Sequence, residues 1–276
     1  MPELPEMETY RILLSPKITF KPISSVEINR DKSINLKPAQ FRQELIGSHI
    51  QSISRRAKHL IFQMNTGKSL VLHLMLGGWM YLGNEHDNPN RTKQVIITFG
   101  DISLYFIGLR LGYLHLLTSA ELDKKLEDLG PEPLDPSFTY QQFQQLIDKK
   151  RGVIKSALVN QKFISGIGNC YSDEICYEAK INPLRKAEQF TETDKLALYN
   201  AIQHVLPKAA DAGGYMENKL YSGDNKTGGY LSICTVYDRE GEPCKRCGTE
   251  IQKETVSSRK TFYCPICQQK EKEKLA

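Results

Sequence analysis

The chain has 276 residues, 40% hydrophobic and 25% charged, with a formal net charge of +5 at pH 7. This balance excludes a disordered or low-complexity chain, and no apolar stretch approaches the roughly 20 residues of a membrane-spanning helix. The length suits one large or two modest domains, and the mild positive charge is compatible with a nucleic-acid partner without requiring one.

In chain order, Met1-Pro2-Glu3-Leu4-Pro5-Glu6 lacks the basic start and apolar run of a secretory signal, so the sequence reads as cytosolic. A short helix signal covers residues 5–14. Candidate strands follow at 50–53, then at 60–64 and 70–76, joined by Asn65-Thr66-Gly67-Lys68, and at 95–99 and 104–109, joined by Gly100-Asp101. Such closely spaced hairpins favour an antiparallel sandwich or barrel. The run Gly130-Pro131-Glu132-Pro133-Leu134-Asp135-Pro136 breaks the pattern and reads as an interdomain linker. Apolar residues at helical spacing then mark helices at 140–149, 154–161, 170–179 and 192–212. Residues 213–229, rich in Gly, Asn, Asp and Lys, read as a long loop of the kind that is often functional. Residues 270–274 are a mixed charge run, read as solvated and frayed. There is no internal repeat.

Two segments carry chemistry on their own residues. Of seven cysteines, four stand as Cys244-x2-Cys247-x16-Cys264-x2-Cys267. Each pair can aim two thiolates at one tetrahedral zinc ion, with a hairpin of strands at 249–255 and 259–263 between them. Four thiolates leave no position for a reactive water, so the metal would be structural. Two disulfides or chance spacing are the alternatives, and Cys170, Cys176 and Cys234 read as free thiols. Lys245, Arg246, Lys253, Arg259 and Lys260 make the hairpin basic, as suits either phosphate contact or an ordinary solvated or protein-binding surface. The second segment is Gly166-Ile167-Gly168-Asn169 between two helices, with Lys149, Arg151 and Lys155 upstream. Glycines before a helix start let backbone N–H groups approach an anion, and Asn169 suits an N-cap or a phosphate contact. An ordinary helix–helix turn would look the same.

Taken together, the motifs resemble the bacterial formamidopyrimidine-DNA glycosylases from end to end. Met1-Pro2-Glu3-Leu4-Pro5-Glu6-Met7-Glu8-Thr9 resembles their N-terminal signature, and Ser54-Arg55-Arg56-Ala57-Lys58-His59-Leu60 a second motif. Residues 166–174 resemble their helix-two-turn-helix, and the four-cysteine segment with Arg259 their zinc finger. The Leu4-Pro5 pair points to this branch rather than to the endonuclease-eight branch. The resemblance implies an α+β fold: an N-terminal antiparallel β-sandwich with flanking helices over 1–130, a linker at 131–139, a helical DNA-binding domain with its lesion loop at 140–230, and a zinc finger at 236–270. It implies a bifunctional DNA glycosylase and abasic-site lyase acting on oxidised purines. Pro2, exposed as a secondary amine when Met1 is removed, would be the nucleophile. An α-amino group titrates near ~8, well below a lysine, so part of it is neutral at pH 7. Glu3 would give acid–base help, Lys58 proton donation and phosphate contact, and Arg259 would hold the phosphate during elimination. Glu6, His73, Arg110, Arg151, Lys155 and Asn169 would contact DNA. The implied protein is a bacterial, nucleoid-associated monomer with one structural zinc and double-stranded damaged, abasic or distorted DNA as partner.

The sequence departs from the pattern at the side chains that fill the gap left by an everted base. Where the family has a methionine, an arginine and a phenylalanine, this chain has Leu76, Leu109 and Leu111. Leucine cannot hydrogen-bond an orphaned base and stacks poorly, so lesion detection should be altered. The alternative reading is therefore a DNA-binding relative with weak or absent excision that recognises abasic, distorted or branched DNA. A zinc-dependent protein scaffold would need neither Pro2 nor Lys58.

Overall fold

The computed structural model describes residues 1–269. The charge run at 270–274 and the last residue of the 236–270 segment lie outside the described residues. The chain divides into two compact units, one of Met1–Asp128 with Ala210–Leu231, the other of Leu129–Ala209 with the chain from Ser232 on. No helix among the described residues is long and apolar enough to cross a membrane.

The first unit opens with helix α1 (Leu4–Ile18), started by a buried carboxylate: Glu6 Oε2 accepts the Glu3 amide at 2.7 Å. Pro5 suits the first turn, where its missing N–H is not needed. The helix outruns the expected residue 14, because Leu14 and Ile18 are both fully buried and continue the apolar stripe. Strand β1 (Ser25–Ile28) and helix α2 (Pro38–Leu45) follow, then β2 (Ile50–Arg56), β3 (His59–Met64), β4 (Ser69–His73), β5 (Trp79–Gly83), β6 (Lys93–Phe99), β7 (Ile102–Ile107), β8 (Tyr113–Leu117) and helix α3 (Ser119–Leu126). The strands form two four-stranded antiparallel sheets, ordered β1-β6-β7-β5 and β2-β3-β4-β8. Alternation decides which face turns inward. On β3, Leu60, Phe62 and Met64 enter the core; Leu60 pairs with Leu72, which pairs with Leu114. Phe106 and Ile97 of the other sheet join the same cluster. Each such side chain is worth roughly 1.5–3 kcal/mol on burial, so the cluster holds the two sheets face to face. This is the antiparallel sandwich that the hairpins implied.

The strand expected over 70–76 ends at His73. Met75 and Gly77 have φ of +52° and +79°, and the chain turns there.

The second unit carries helices α4 (Tyr140–Ile147), α5 (Ile154–Leu158), α6 (Asn169–Glu178) and α7 (Glu192–Asp211), then the hairpin β9 (Gln252–Val256) and β10 (Arg259–Tyr263). The stretch expected as a linker is packed against this unit. Gly130 N donates to Gln161 O at 2.8 Å, Ser165 N to Pro131 O at 3.1 Å, and Phe138 is 3% exposed. Residues 210–231, which overlap the end of the helical domain expected over 140–230, group with the sandwich in the first unit. Helix α5 stops short of residue 161 because the Gln161 amide is spent on the following turn, accepting Gly166 N at 2.9 Å and donating to Ile167 O at 2.7 Å.

Candidate active site and nucleic-acid interface

The chain start is buried, which is unusual for a terminus. Pro2, Glu3 and Glu6 are all buried, Glu3 and Glu6 to 1% exposure. Glu6 divides its carboxylate between two backbone donors: Oε2 takes Glu3 N at 2.7 Å, and Oε1 takes Tyr215 N at 2.8 Å. The loop reaches this position through Gly213 and Gly214, at φ of +88° and +70°, and the Glu6 carboxylate occupies the space that a Cβ on Gly214 would need. Only glycine satisfies both demands. Glu6 was expected to contact DNA. Its burial and two amide partners make it a latch between the start of α1 and the loop. Tyr215, which no sequence motif singled out, places its hydroxyl against Met1: it donates to the Met1 carbonyl at 3.1 Å, and the Met1 amine reaches it at 3.4 Å.

A second cluster forms where β3, β4 and β8 run in register, His59 facing His73 and His73 facing Tyr113. The His59 and His73 ring centroids are 4.6 Å apart, and His59 Nε2 lies 2.9 Å from the Tyr113 hydroxyl. Lys58, 4% exposed, sits at the β2–β3 turn, where Ala57 has a φ of +53°. Burial holds His73 down to about 3, with smaller lowering effects from His59, Lys58 and Lys125. Burial likewise lowers His59 to about 4, against a backbone hydrogen bond at Arg56 that raises it. Both imidazoles are therefore neutral at physiological pH. His73 Nδ1 accepts Met75 N at 3.2 Å, which leaves its proton on Nε2. A contact from His73 to phosphate would thus be a neutral hydrogen bond. Helix α1 is tied to the Lys58 turn through Glu8, which pairs with Arg55 at 2.9 Å, and Arg55 Nη1 donates to Ala57 O at 3.1 Å.

The three leucines separate. Leu76 and Leu111 are 63% and 62% exposed, on loops that abut where the Gly77 carbonyl fills the space a Cβ on Gly108 would need. Leu109 is fully buried in the sandwich core. Its backbone is held on both sides, N–H to Gln94 Oε1 at 3.1 Å and C=O from Ser33 Oγ at 3.2 Å. The expectation that Leu109 stands at a base-plugging position is corrected: an apolar side chain at this site gains more from the core than from water. Arg110 beside it is exposed.

In the second unit, Lys155 does not face solvent. It is 1% exposed, with Nζ at 2.6 Å from Asp173 Oδ1 and 2.8 Å from Asn169 O. Asp173 is itself fully buried, and its Oδ2 accepts Phe262 N at 3.2 Å. Burial pushes the Asp173 carboxyl up to about 7 against the lowering pull of Lys155. The expected role of Lys155 as a phosphate contact is corrected: its charge is consumed in a buried pair that joins α5, α6 and β10. Asn169 opens α6 as its first residue, and the N-cap is Gly168, not Asn169. Asn169 Oδ1 is buried without a hydrogen-bond partner. Arg259 is exposed at the start of β10, three residues before the Phe262 amide that docks on α6. The Ser156 and Ser257 hydroxyls, 3.0 Å apart, tie α5 to the hairpin tip. Arg151 is exposed, with Nη1 on the Asp148 and Lys150 carbonyls at 3.0 and 2.9 Å.

The ligand atoms of Cys244, Cys247, Cys264 and Cys267 lie within 4.8 Å of one another. Cys244 and Cys267 sulfurs are 3.9 Å apart, and Cys247 and Cys264 sulfurs 3.5 Å. A tetrahedral site with Zn–S near 2.3 Å needs sulfurs about 3.8 Å apart, whereas a disulfide needs about 2.05 Å. None of the four is joined in a disulfide, so that alternative falls. The cluster holds one structural zinc ion.

Comparison with known proteins covers the same segments. Residues 1–113 match the family described as formamidopyrimidine-DNA glycosylase N-terminal domain, residues 129–219 the H2TH domain of the same enzymes, and residues 241–270 a zinc finger found in FPG and IleRS. A formamidopyrimidine-DNA glycosylase of Pelotomaculum thermopropionicum is 34% identical, over 97% of this chain and 99% of that protein. The structure of Lactococcus lactis Fpg in complex with abasic-site DNA superposes with a TM-score of 0.90 at 34% identity, covering 97% of this chain and 99% of the other. The same protein in complex with DNA containing N7-benzyl-Fapy-dG also gives 0.90 at 34% identity, over 97% and 100%.

Proposed function

The chain belongs to the formamidopyrimidine-DNA glycosylase family, and from that premise we propose a bifunctional DNA glycosylase and abasic-site lyase that uses the Pro2 amine, freed on removal of Met1. The observation that carries this reading is the buried chain start: Pro2 is buried, and the Glu3 amide next to it is held on the Glu6 carboxylate instead of fraying. The Pro2 nitrogen forms a bond to the sugar C1′ as the bond from C1′ to the base breaks, and the base leaves with that electron pair and takes up a proton. Opening of the sugar ring gives an iminium, whose positive charge acidifies the C2′ proton. Loss of that proton expels the 3′ phosphate, and a further elimination expels the 5′ phosphate. Glu3 serves as the acid–base group beside the nucleophile, and Lys58 as proton donor and phosphate contact. Arg110, Arg151, Asn169 and Arg259 grip the backbone, with His73 as a neutral donor.

The substrates in this reading are oxidised purines. Leu76 and Leu111 form a two-residue apolar wedge that can unstack a base pair but cannot hydrogen-bond the orphaned base. Excision from intact duplex is therefore slow and little affected by the opposite base, while preformed abasic sites are processed well. A monomer working on the nucleoid in the bacterial cytoplasm completes the reading. Borohydride trapping on abasic and 8-oxoguanine duplexes tests it. The wild-type protein should form a covalent adduct and Pro2→Gly much less; equal trapping by both would move the Schiff base to a lysine and overturn the proposal.

A further inference from the structure

The loop residue Tyr215 meets the N-terminal residue by both of its polar backbone groups, the Met1 amine at 3.4 Å and the Met1 carbonyl oxygen at 3.1 Å. The carbonyl carbon of Met1 is bonded directly to the Pro2 nitrogen. Removing Met1 therefore takes away these two contacts and bares a secondary amine at the position they mark. The loop that carries the phenol does not depend on Met1 for its place. Its backbone is fixed by the Tyr215 N–H on Glu6 Oε1 at 2.8 Å and by the Gly213-Gly214 turn pressed on the same carboxylate. Glu6 Oε2 in turn holds the amide of Glu3, the residue after Pro2, at 2.7 Å. One buried carboxylate thus sets the phenol and the N-terminus against each other.

We propose that Tyr215 is a positioning residue for the Pro2 amine, its phenol oxygen accepting the amine N–H and so aiming the nitrogen lone pair at the substrate. A neutral secondary amine has one N–H and one lone pair. Fixing the first fixes the direction of the second, and small misplacements of a nucleophile are costly in rate. The phenol exchanges no proton in this role. The inference rests on Pro2 as the nucleophile proposed above, and its test includes a readout that needs no catalysis.

The test uses the full-length protein with Met1 removed, as verified by intact mass, in wild-type and Tyr215→Phe forms. The first measurement is single-turnover borohydride trapping on a duplex with a preformed abasic site. The second is a titration of the Pro2 nitrogen by 15N NMR in protein labelled at proline; of 13 prolines only Pro2 then carries a titratable nitrogen. Tyr215→Phe should lower the trapping rate constant at saturation on the order of tenfold. The half-saturating protein concentration should stay within about twofold, because the phenol makes no DNA contact in this role. The Pro2 titration midpoint should move. A midpoint and rate constant that match wild type would overturn the assignment, as would a loss expressed only in half-saturation. A wild-type protein that fails to trap, with a midpoint that still moves in Tyr215→Phe, would remove the proposed chemistry and leave the contact standing.

Discussion

Replacing Lys155 with methionine separates a structural role from a DNA-binding one. The ammonium lies 2.6 Å from Asp173, with the two side chains 1% and 0% exposed. Methionine fills similar volume but leaves the carboxylate buried with the Phe262 amide and without its counter-charge. Breaking a buried pair from one side costs about 3–5 kcal/mol. At roughly 2–4 °C per kcal/mol, the melting temperature should fall by about 6–20 °C. The loss should depend on pH with a definite sign. Burial already holds the Asp173 carboxyl up at about 7, and removing Lys155 removes a lowering influence. A carboxyl raised in the folded state is destabilising while ionised and harmless once protonated. The deficit should be largest above pH 7 and shrink as pH falls toward the ordinary carboxylate range near ~4. The Lys155→Met/Asp173→Asn double variant should lose less than the sum of the two single variants, because neither partner is left charged alone. Thermal unfolding at pH 8 and pH 5.5, beside DNA affinity against salt, decides the matter. A Lys155→Met protein that melts within 2 °C of wild type, with a salt slope reduced by about one, would place Lys155 on a phosphate and refute the reasoning.

Three further outcomes are expected. Leu109→Ala should cost about 2–5 kcal/mol in denaturant unfolding, while Leu76→Ala should stay within ~0.5 kcal/mol and instead slow excision from duplex DNA; the reverse pattern would return Leu109 to the DNA surface. Cys247→Ser should release zinc, measured by atomic absorption, and weaken DNA binding, since three thiolates leave the tetrahedral site incomplete; full zinc retention would contradict this. Arg259→Ala should weaken binding to all sequences alike and lower the salt slope by about one, and an unchanged slope would take the hairpin off the backbone.

Residue identity and spacing were legible where the chemistry is local. The Cys-x2-Cys pairs each aim two sulfurs at one point whatever surrounds them, so the zinc site could be read from four positions. The hairpins around Gly67 and Gly100 were legible for the same reason: each turn lies between the strands it joins. Burial was not legible. Lys155 sits in a basic stretch and reads as a surface charge, and its partner Asp173 lies eighteen residues on, in another helix. Glu6 and Leu109 occupy motif positions, but nothing in a motif says that Tyr215 N–H or the sandwich core will claim them. Short elements were missed because they are justified only by distant partners. Strand β1 has four residues and pairs with β6, β5 and β8 have five each, and α2 buries only Phe41 and Leu45. Helix α3 buries no residue, so apolar periodicity had nothing to report.

The first unit is assembled from two stretches of chain, Met1–Asp128 and Ala210–Leu231. During synthesis its sandwich strands are complete long before its last stretch exists. At about 5–20 residues per second, the 81 intervening residues, 129–209, take roughly 4–16 s to emerge. Through that interval Glu6 lacks the Tyr215 N–H, which lies 209 positions away in sequence, and the Leu82 N–H lacks the Leu220 carbonyl that it finds at 2.6 Å. Met1 likewise cannot meet the Tyr215 hydroxyl until that loop has been made. If Met1 is removed as the proposed chemistry requires, the trimming enzyme meets an N-terminus that the loop has not yet engaged, and the order of translation places maturation ahead of closure.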